Sequence, residues 1–331
     1  MRIPKDICFD DYISLVGSLE AQEIHSAGHW RDRLIERSKG AKIWGDRMVW
    51  PKTHELIRLR ESELSIWTGM NGHLKSMLCG QVMLWLAKNS KVAIASLEMK
   101  PEETLWRMCL QAAGTRSGDA PAESFINQFA DFADENILIY DQLDNVETEK
   151  ILGFVHYCGK ELGCKHIVLD SLAKCGVNQG GADANARETD FINRLQWAAK
   201  TLKVHIHLIC HVRKPQTGGE EWRPTKFDVK GSSTISDMAD NLFIVWKNKK
   251  RFDLKELQSQ GHELDEKQIK YLEDNRDLLL TVAKQRHGAW EGTFAFYFQN
   301  SLQFTSHEGQ SMQFNFEKDE INVDEDNDML F

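Results

Sequence analysis

Residues 63–77 read ELSIWTGMNGHLKSM. The segment ELSIWTG is a short apolar strand that ends in a turn, and KSMLCGQVMLWLAKN from Lys75 onward has the length and composition of a helix. Between them, GMNGHLKSM nearly matches the phosphate-binding pattern G-x-x-x-x-G-K-[ST], departing from it at Leu74, where the pattern has glycine. A loop joining a strand to a helix binds phosphate oxygens through successive backbone N–H groups and the positive helix end. In that reading Gly69, Asn71, Gly72, His73, Leu74, Lys75, Ser76 and Met77 surround a nucleotide. Lys75 reaches its β/γ-phosphates and Ser76 holds Mg²⁺. A glycine-containing strand–helix turn with an exposed lysine is the plainer alternative.

Outward from this loop the chain alternates short apolar runs with helical ones. KVAIASLE, NILIYD, HIVLD and VHIHLICH read as strands. EETLWRMCLQAAG, TEKILGFVHYCGKELG and ETDFINRLQWAAKTLK read as helices. Buried strands separated by helices indicate an α/β fold, a mostly parallel sheet covered on both faces. After residue 226, NLFIVWKNK, DLLLTVAKQR and TFAFYFQ read as strands with only loops between them, which implies an antiparallel extension. Residues 1–50 read as a polar, helical arm in which Ile13, Val16, Leu19 and Ile24 lie on DDYISLVGSLEAQEIHS. That arm packs either on its own domain or on a neighbouring subunit. The motor is expected over 51–315, and 316–331 as an acidic tail with no reason to fold.

Composition removes several classes. No run of 18 apolar residues exists to cross a membrane. The N-terminus MRIPKDICFDDY has no apolar signal region. Seven scattered cysteines without a C-x-x-C pair point to a reducing cytosol and against disulfides or zinc. The net charge of −9 does not exclude nucleic acid, because residues 319–331 hold six acids and no Lys or Arg, leaving the remainder at −3. A nearly balanced body still accommodates a basic surface.

The strand ends carry the other candidate chemistry. Asp170 closes HIVLD, the place of a Walker-B-type acid that orders a magnesium shell. Glu98, in SLEMKP, stands at the end of another strand, where a carboxylate orients or deprotonates an attacking water. His211, in ICHVRKP, shares that edge and is placed to sense a γ-phosphate. Lys284 and Arg286, in AKQRHG, lie two apart on a late strand and hence on one face, suited to a neighbouring subunit's phosphates. Each has a plainer structural reading as a strand-end acid, a structural histidine or a solvated cation.

Taken together, WTGMNGHLKSM, IASLEMKPEET, HIVLDSL, HLICHVRKP, DVKGSSTISDMADNLFIVW and VAKQRHGAWEGT resemble the replicative hexameric helicases of the DnaB, Twinkle and phage primase–helicase group. The resemblance runs from about residue 50 to 305. It implies a RecA-like core that binds ATP or another nucleotide with Mg²⁺. Lys75 and Ser76 then serve as the loop lysine and hydroxyl, Glu98 as the catalytic glutamate, Asp170 as the Walker B acid and His211 as the γ-phosphate sensor. Lys284 and Arg286 become the pair inserted into the next subunit's site, and Ser76 and Asp170 the metal ligands. It further implies a six-membered ring around single-stranded DNA, moving 5′ to 3′, in a helicase-only form encoded by a phage and working in the host cytoplasm. Residues 10–40 are then the candidate linker helix for the adjacent motor.

The loop KPQTGGEEWRPTKFDVKGSS is glycine-rich, polar and long, and its lysines and backbone N–H groups are suited to tracking phosphates without regard to sequence. With the preceding Arg213, its residues Lys214, Lys226, Lys230, Gly231, Ser232 and Ser233 form the expected DNA surface, and Arg223 adds a further cation. KNKKR, Lys247 to Arg251, reads instead as a solvated cluster on an outer hairpin. The end INVDEDNDMLF places Asp326, Asp328, Leu330 and Phe331 as an acidic segment with an apolar tip. It resembles the tails of single-strand-binding proteins and some phage helicases, and is expected to dock on a polymerase, primase or single-strand-binding protein. Two alternatives stand beside the helicase reading. One is a nucleotide-dependent DNA ring or clamp with hydrolysis impaired by Leu74, the other a RecA-like recombinase or loader. If position 74 requires positive φ, leucine costs about 1–3 kcal/mol there, and glycine in its place is expected to tighten nucleotide or raise turnover.

Overall fold

A computed structural model describes residues 27–38, 44–115, 119–177, 183–213, 221–231 and 234–317. Nine strands form one sheet in the order β3-β2-β4-β5-β1-β6-β7-β8-β9. They are β1 Leu64–Thr68, β2 Val92–Ser96, β3 Ile137–Ile139, β4 His166–Asp170, β5 His205–Ile209, β6 Asn241–Lys247, β7 Leu278–Gln285, β8 Gly292–Phe298 and β9 Phe304–Thr305. Every residue of β1, β2, β4 and β5 is buried, which explains their unbroken apolar runs. Helix α1 is Arg31–Ser38, α2 Lys75–Leu86, α3 Pro101–Ala113, α4 Glu123–Asn136, α5 Thr148–Lys160 and α6 Ala184–Leu202. The short α7 is Thr234–Met238, α8 is Lys249–Ser259 and α9 is Glu266–Asp274.

Successive strand residues face opposite sides, so each strand feeds two cores. On one side Trp67, Ile94, Val168, Ile209 and Phe243 pack on Leu78, Val82 and Met83 of α2, Met108 of α3 and Phe129 of α4. On the other, Ile66, Ala95, Leu169 and Leu208 meet Phe154 and Val155 of α5 and Phe191 and Leu195 of α6. The six strands from β3 to β6 are mutually parallel, so their carboxyl ends share one edge.

Four features depart from the expectations above. β6 runs parallel to β1, so the antiparallel extension begins only at β7. Two helices, α8 and α9, stand between β6 and β7 where only a loop was expected. Apolar positions on α8 are sparse, whereas α9 places Ile269 and Leu272 at i and i+3, a helical signal that sequence reasoning missed. α4 is a further unassigned helix, whose Phe125, Phe129 and Phe132 are buried at i, i+4 and i+7. The packed body also reaches past 51–315: Asp46 bridges Leu59, Met48 and Trp50 are buried, and Phe316 packs on Phe125 and Phe132 at 5.5 and 5.2 Å. The expected helix over residues 10–26 and the tail residues Asp326, Asp328, Leu330 and Phe331 lie outside the described residues. All six described cysteines are free and buried.

Candidate nucleotide and nucleic-acid site

The phosphate loop leaves β1, the strand flanked by β5 and β6, and enters α2 at Lys75. Gly69 passes so close to β6 that a Cβ there would lie 2.3 Å from the Val245 carbonyl oxygen. Leu74 caps α2 in the left-handed conformation, with φ 62° and ψ 21°. Leucine therefore takes the backbone that glycine favours, and its half-buried side chain packs on the core beneath. Lys75 is buried and donates to the carbonyls of Gly69 at 3.1 Å and Met70 at 2.9 Å. Burial pushes its pKa down, with the negative charge of Asp170 and Glu98 opposing.

His73 sits in this loop but turns toward β6. Its Nδ1 accepts the Lys247 N–H at 3.1 Å, which requires an unprotonated nitrogen. Burial, with Lys75 and Lys247 nearby, pushes its pKa down to about 4. The His73 side chain thus pins the loop to the end of β6, while its N–H donates to the Met70 carbonyl at 3.2 Å. The Met77 side chain packs on the core, and its carbonyl accepts from Gln111 at 3.1 Å.

The carboxyl edge gathers Glu98, Asp170, Lys174, Arg107, Asp144 and His211 with Asn71, Gly72, Leu74, Lys75, Ser76 and Met77 around a cleft of about 610 Å³. Asp170 is buried at the end of β4, and burial raises its pKa to about 6 despite a hydrogen bond with Ser76. Glu98 accepts the Ser171 hydroxyl at 2.5 Å and stands 3.6 Å from His211 Nε2. Contact with His211 and the Ser171 hydrogen bond hold the Glu98 carboxyl down at about 2. The Asp170–Ser171 peptide is cis. Two buried polar atoms, Thr68 Oγ1 and His211 Nδ1, find no hydrogen-bond partner among the described residues. Sequence reasoning missed Arg107, Asp144 and Lys174. The available signal was position: Lys174 follows the end of β4 by four residues, and residues just beyond parallel strand ends line such crevices.

Magnesium fits this donor set. Asp170 is a buried carboxylate short of positive charge beside the Ser76 hydroxyl. No group of three or more acidic, histidine or cysteine side chains among the described residues forms a cage on its own. Two protein oxygens completed by phosphate and water match the habit of Mg²⁺.

The candidate DNA loop is bolted to this edge. Val212 bridges Val229, the Arg213 N–H donates to Asp228 at 2.8 Å, and the Lys230 N–H donates to the His211 carbonyl at 2.8 Å. The Arg213 side chain donates to the Gly231 carbonyl at 2.7 Å. Lys226 and Lys230 are exposed, whereas Lys214, Ser232 and Ser233 lie outside the described residues. Arg223 stacks on Trp246, its guanidinium carbon 4.5 Å from the ring centroid. KNKKR is not a solvated hairpin. Arg251 is buried on α8, pairs with Asp277 at 2.8 Å and Glu308 at 2.7 Å, and donates to the Leu272 carbonyl.

Lys284 and Arg286 stay apart from the cleft. Lys284 donates to the carbonyls of Ser236 at 2.9 Å and Asp237 at 2.7 Å, while Arg286 pairs with Asp240 at 3.2 Å. Leu242 pairs with Lys284, and Arg286 N–H bonds the Asp240 carbonyl, at the start of β6; the phosphate loop contacts Val245 and Lys247 at its end. At about 3.3 Å per residue the two places are separated by roughly the length of β6, or ~20 Å.

A strand–loop–helix phosphate cradle on a central parallel strand, with acids at neighbouring strand ends, defines a P-loop nucleotide-binding domain. The model of the DnaB-like helicase C terminal domain family matches residues 55–306, and the chain belongs to that family. It is also 25% identical over 203 residues to a DNA helicase/primase of Enterobacteria phage T3, covering 57% of this chain. The matched region spans only 36% of that relative. The fold is that of the ATPase domain of G40P, with a TM-score of 0.67 and 15% identity over 86% of this chain and 100% of that one. A DnaB-like replicative helicase described with its interactions with primase superposes with a TM-score of 0.63 and 15% identity, over 89% of this chain and 70% of that one.

Proposed function

We propose that this protein is a nucleotide-driven replicative DNA helicase that assembles as a ring and moves along single-stranded DNA. The observation that carries this reading is the continuous link from cleft to loop. Glu98 faces His211, and the His211 carbonyl holds Lys230 of the basic loop. A change at the nucleotide's terminal phosphate therefore has a short covalent and hydrogen-bonded path to a DNA contact.

In this mechanism the loop amides and Lys75 bind the phosphates. The ammonium leaves the Gly69 and Met70 carbonyls for phosphate oxygens, a charge-assisted exchange. Ser76 and Asp170 would hold Mg²⁺, which would supply positive charge to the bound phosphates. Glu98 is ionised at neutral pH and orients the attacking water, with Ser171 and His211 fixing its carboxylate. His211 releases or engages Glu98 as the phosphate comes and goes, and Arg213, Lys226 and Lys230 follow as cations that track the DNA backbone. Lys284 and Arg286 act on a neighbouring subunit's nucleotide.

The arm supports assembly. Trp30, Leu34 and Ile35 are exposed around α1, and an apolar groove of about 470 Å³ lies between α3 and α4, flanked by exposed Trp106. Residues 10–40 of one copy are proposed to occupy this groove on the next. The tail residues Asp326, Asp328, Leu330 and Phe331 are proposed to recruit a polymerase, primase or single-strand-binding protein. Deleting residues 319–331 then abolishes that binding in a pull-down and spares hydrolysis.

The deciding experiment measures nucleotide hydrolysis with and without single-stranded DNA, and strand displacement on a forked duplex. The wild type is expected to be stimulated by DNA and to unwind the fork. Lys75→Ala and Glu98→Ala are each expected to lower turnover at least about a hundredfold. Binding without turnover in the wild type would identify a nucleotide-dependent clamp, and retained turnover in Glu98→Ala would remove its catalytic role.

A further inference from the structure

The loop that carries the proposed DNA-tracking cations also carries an exposed aromatic ring. Phe227 is 80% exposed, more than any other large apolar side chain among the described residues. A lone exposed phenylalanine signifies little. The setting of this one is specific. Phe227 is the middle residue of the 3₁₀ turn Lys226–Asp228. That turn is closed by a reciprocal cap: Asp228 accepts the Thr225 N–H and hydroxyl, both at 2.7 Å, and Thr225 Oγ1 accepts the Phe227 N–H at 3.4 Å. Both flanks are anchored. Trp246 donates to the Trp222 carbonyl at 3.0 Å on one side, and the Val212–Val229 bridge with the Arg213 N–H to Asp228 bond fixes the other.

Cations accompany the ring. Lys226 Nζ lies 5.6 Å from its centroid, Lys230 is exposed three residues further on, and exposed Arg213 is bonded to this segment at Asp228 and Gly231. The one acid in the turn, Asp228, is consumed by the cap. A flat apolar face beside cations that neutralise phosphates is the combination single-stranded nucleic acid requires, because each base offers a stacking face and each nucleotide a charge. Presenting the ring on a hydrogen-bonded turn also removes most of the ordering cost of binding.

We propose that Phe227 is a base-stacking contact for single-stranded DNA, so that this loop holds the flat face of a base as well as the phosphates. The proposal rests on the single-strand reading above. Stacking on one aromatic side chain is worth about fivefold to a hundredfold in affinity. Because the bond is to a base and not to a phosphate, its loss leaves the salt dependence of binding unchanged.

The test uses the full chain with a non-hydrolysable ATP analogue and Mg²⁺. Binding of fluorescent oligo-dT and of an abasic oligonucleotide of equal length is followed by anisotropy over a salt series. Sedimentation reports assembly. The wild type is expected to prefer oligo-dT by at least about fivefold. Phe227→Ala is expected to bind both oligonucleotides alike with the wild-type salt slope, and Phe227→Trp to restore the preference. Lys230→Ala is expected to lower the salt slope by about one and keep the preference. A Phe227→Ala variant that still prefers oligo-dT would overturn the assignment, as would equal binding of both oligonucleotides by the wild type. Loss of assembly in Phe227→Ala would make the ring a subunit contact instead. If the wild type binds neither oligonucleotide, the single-strand reading fails, and this assignment with it.

Discussion

At position 74 a leucine stands where the phosphate-loop pattern has glycine, and it already adopts φ 62°. The left-handed region costs a non-glycine residue about 1–2 kcal/mol. Because the loop holds this form with Lys75 on its own carbonyls, that cost falls on folding and is not paid again when nucleotide binds. The expectation from sequence, that glycine tightens nucleotide, is therefore revised. Leu74→Gly is expected to change nucleotide affinity by less than about threefold, since differential affinity needs a differential cost. A tenfold tightening, measured by titration with a fluorescent analogue, would show that the free loop abandons this conformation. Leu74→Val is expected to lower stability by about 1–3 kcal/mol, because β-branching makes positive φ a true outlier. Buried histidines set a second prediction. Burial holds His73 and His156 down at about 4 and His205 at about 3, and it also pushes His207 well below the usual imidazole value. Each is neutral in the folded chain and titrates near 6.5 when unfolded. Their contribution is complete above about pH 6.5, and is lost as pH falls toward the folded values, by up to about 1.4 kcal/mol per pH unit for each. Glu63 and Asp170, with raised pKa values, oppose this in part by binding protons more readily when folded. Denaturant unfolding should show a net loss of stability between pH 6.5 and 4.5. A flat profile would mean that these rings reach water.

The inserted pair α8 and α9 shows what patterning hides at the scale of an element. KNKKR looks solvated because four of its five residues are cationic and the fifth is polar. In the fold Arg251 is buried, and its guanidinium is shared among Asp277, Glu308 and the Leu272 carbonyl. Lys255 reaches the same two acids, at 2.9 and 2.6 Å. Asp277 also accepts the Phe298 N–H at 2.9 Å, tying the insert to β8. Removing the arginine leaves buried acceptors partly unpaired, so Arg251→Ala is expected to cost about 3–5 kcal/mol. Arg251→Lys is expected to recover little of it, because an ammonium cannot span three separated acceptors. Urea unfolding checks both, and a loss below about 1 kcal/mol would mean that the cluster is solvated after all. No local signal marks this arginine, because its partners lie 26 and 57 residues away. β1, β2, β4 and β5, by contrast, were legible one by one, since each is a buried apolar run bounded by turn or loop residues. Thr68, Glu98, Asp170 and His211 converge simply because those strands are parallel. The direction of β6 was not legible, since strand polarity depends on the connection that precedes it and not on the strand's own residues. The lining of the cleft was legible at Lys75, Ser76, Glu98, Asp170 and His211, which sit in motifs. It was illegible at Arg107 and Asp144, which reach the cleft only through tertiary packing. The bond of the His73 side chain to β6 was not legible either, because loop position alone does not show a side-chain partner 174 residues away.

For the whole molecule the position of Lys284 and Arg286 is decisive. They lie beyond the start of β6, while the phosphate loop meets its end, so these cations cannot reach the nucleotide of their own chain. A cation that serves a phosphate from there must serve a second copy. A head-to-tail contact then places the amino edge of one sheet against the carboxyl edge of the next, and such a heterologous contact closes into a ring when the rotation permits. Each site would consist of Lys75, Glu98 and Asp170 from one copy and Lys284 and Arg286 from its neighbour. This yields a prediction that the monomer alone cannot satisfy. Lys75→Ala and Arg286→Ala should each be inactive by themselves. In a mixed assembly, an Arg286→Ala subunit followed by a Lys75→Ala subunit restores an intact site, because the first supplies the loop lysine and the second the arginine. Random mixing at equal amounts produces that order at about a quarter of interfaces. Hydrolysis in the remixed sample should therefore rise well above either variant, toward about a quarter of wild type if sites act independently, and fall short of it if they fire in sequence. Activity no greater than the sum of the two variants, with sedimentation confirming mixed assemblies, would return Lys284 and Arg286 to a purely structural role, clamping the Ser236–Asp240 turn to β7.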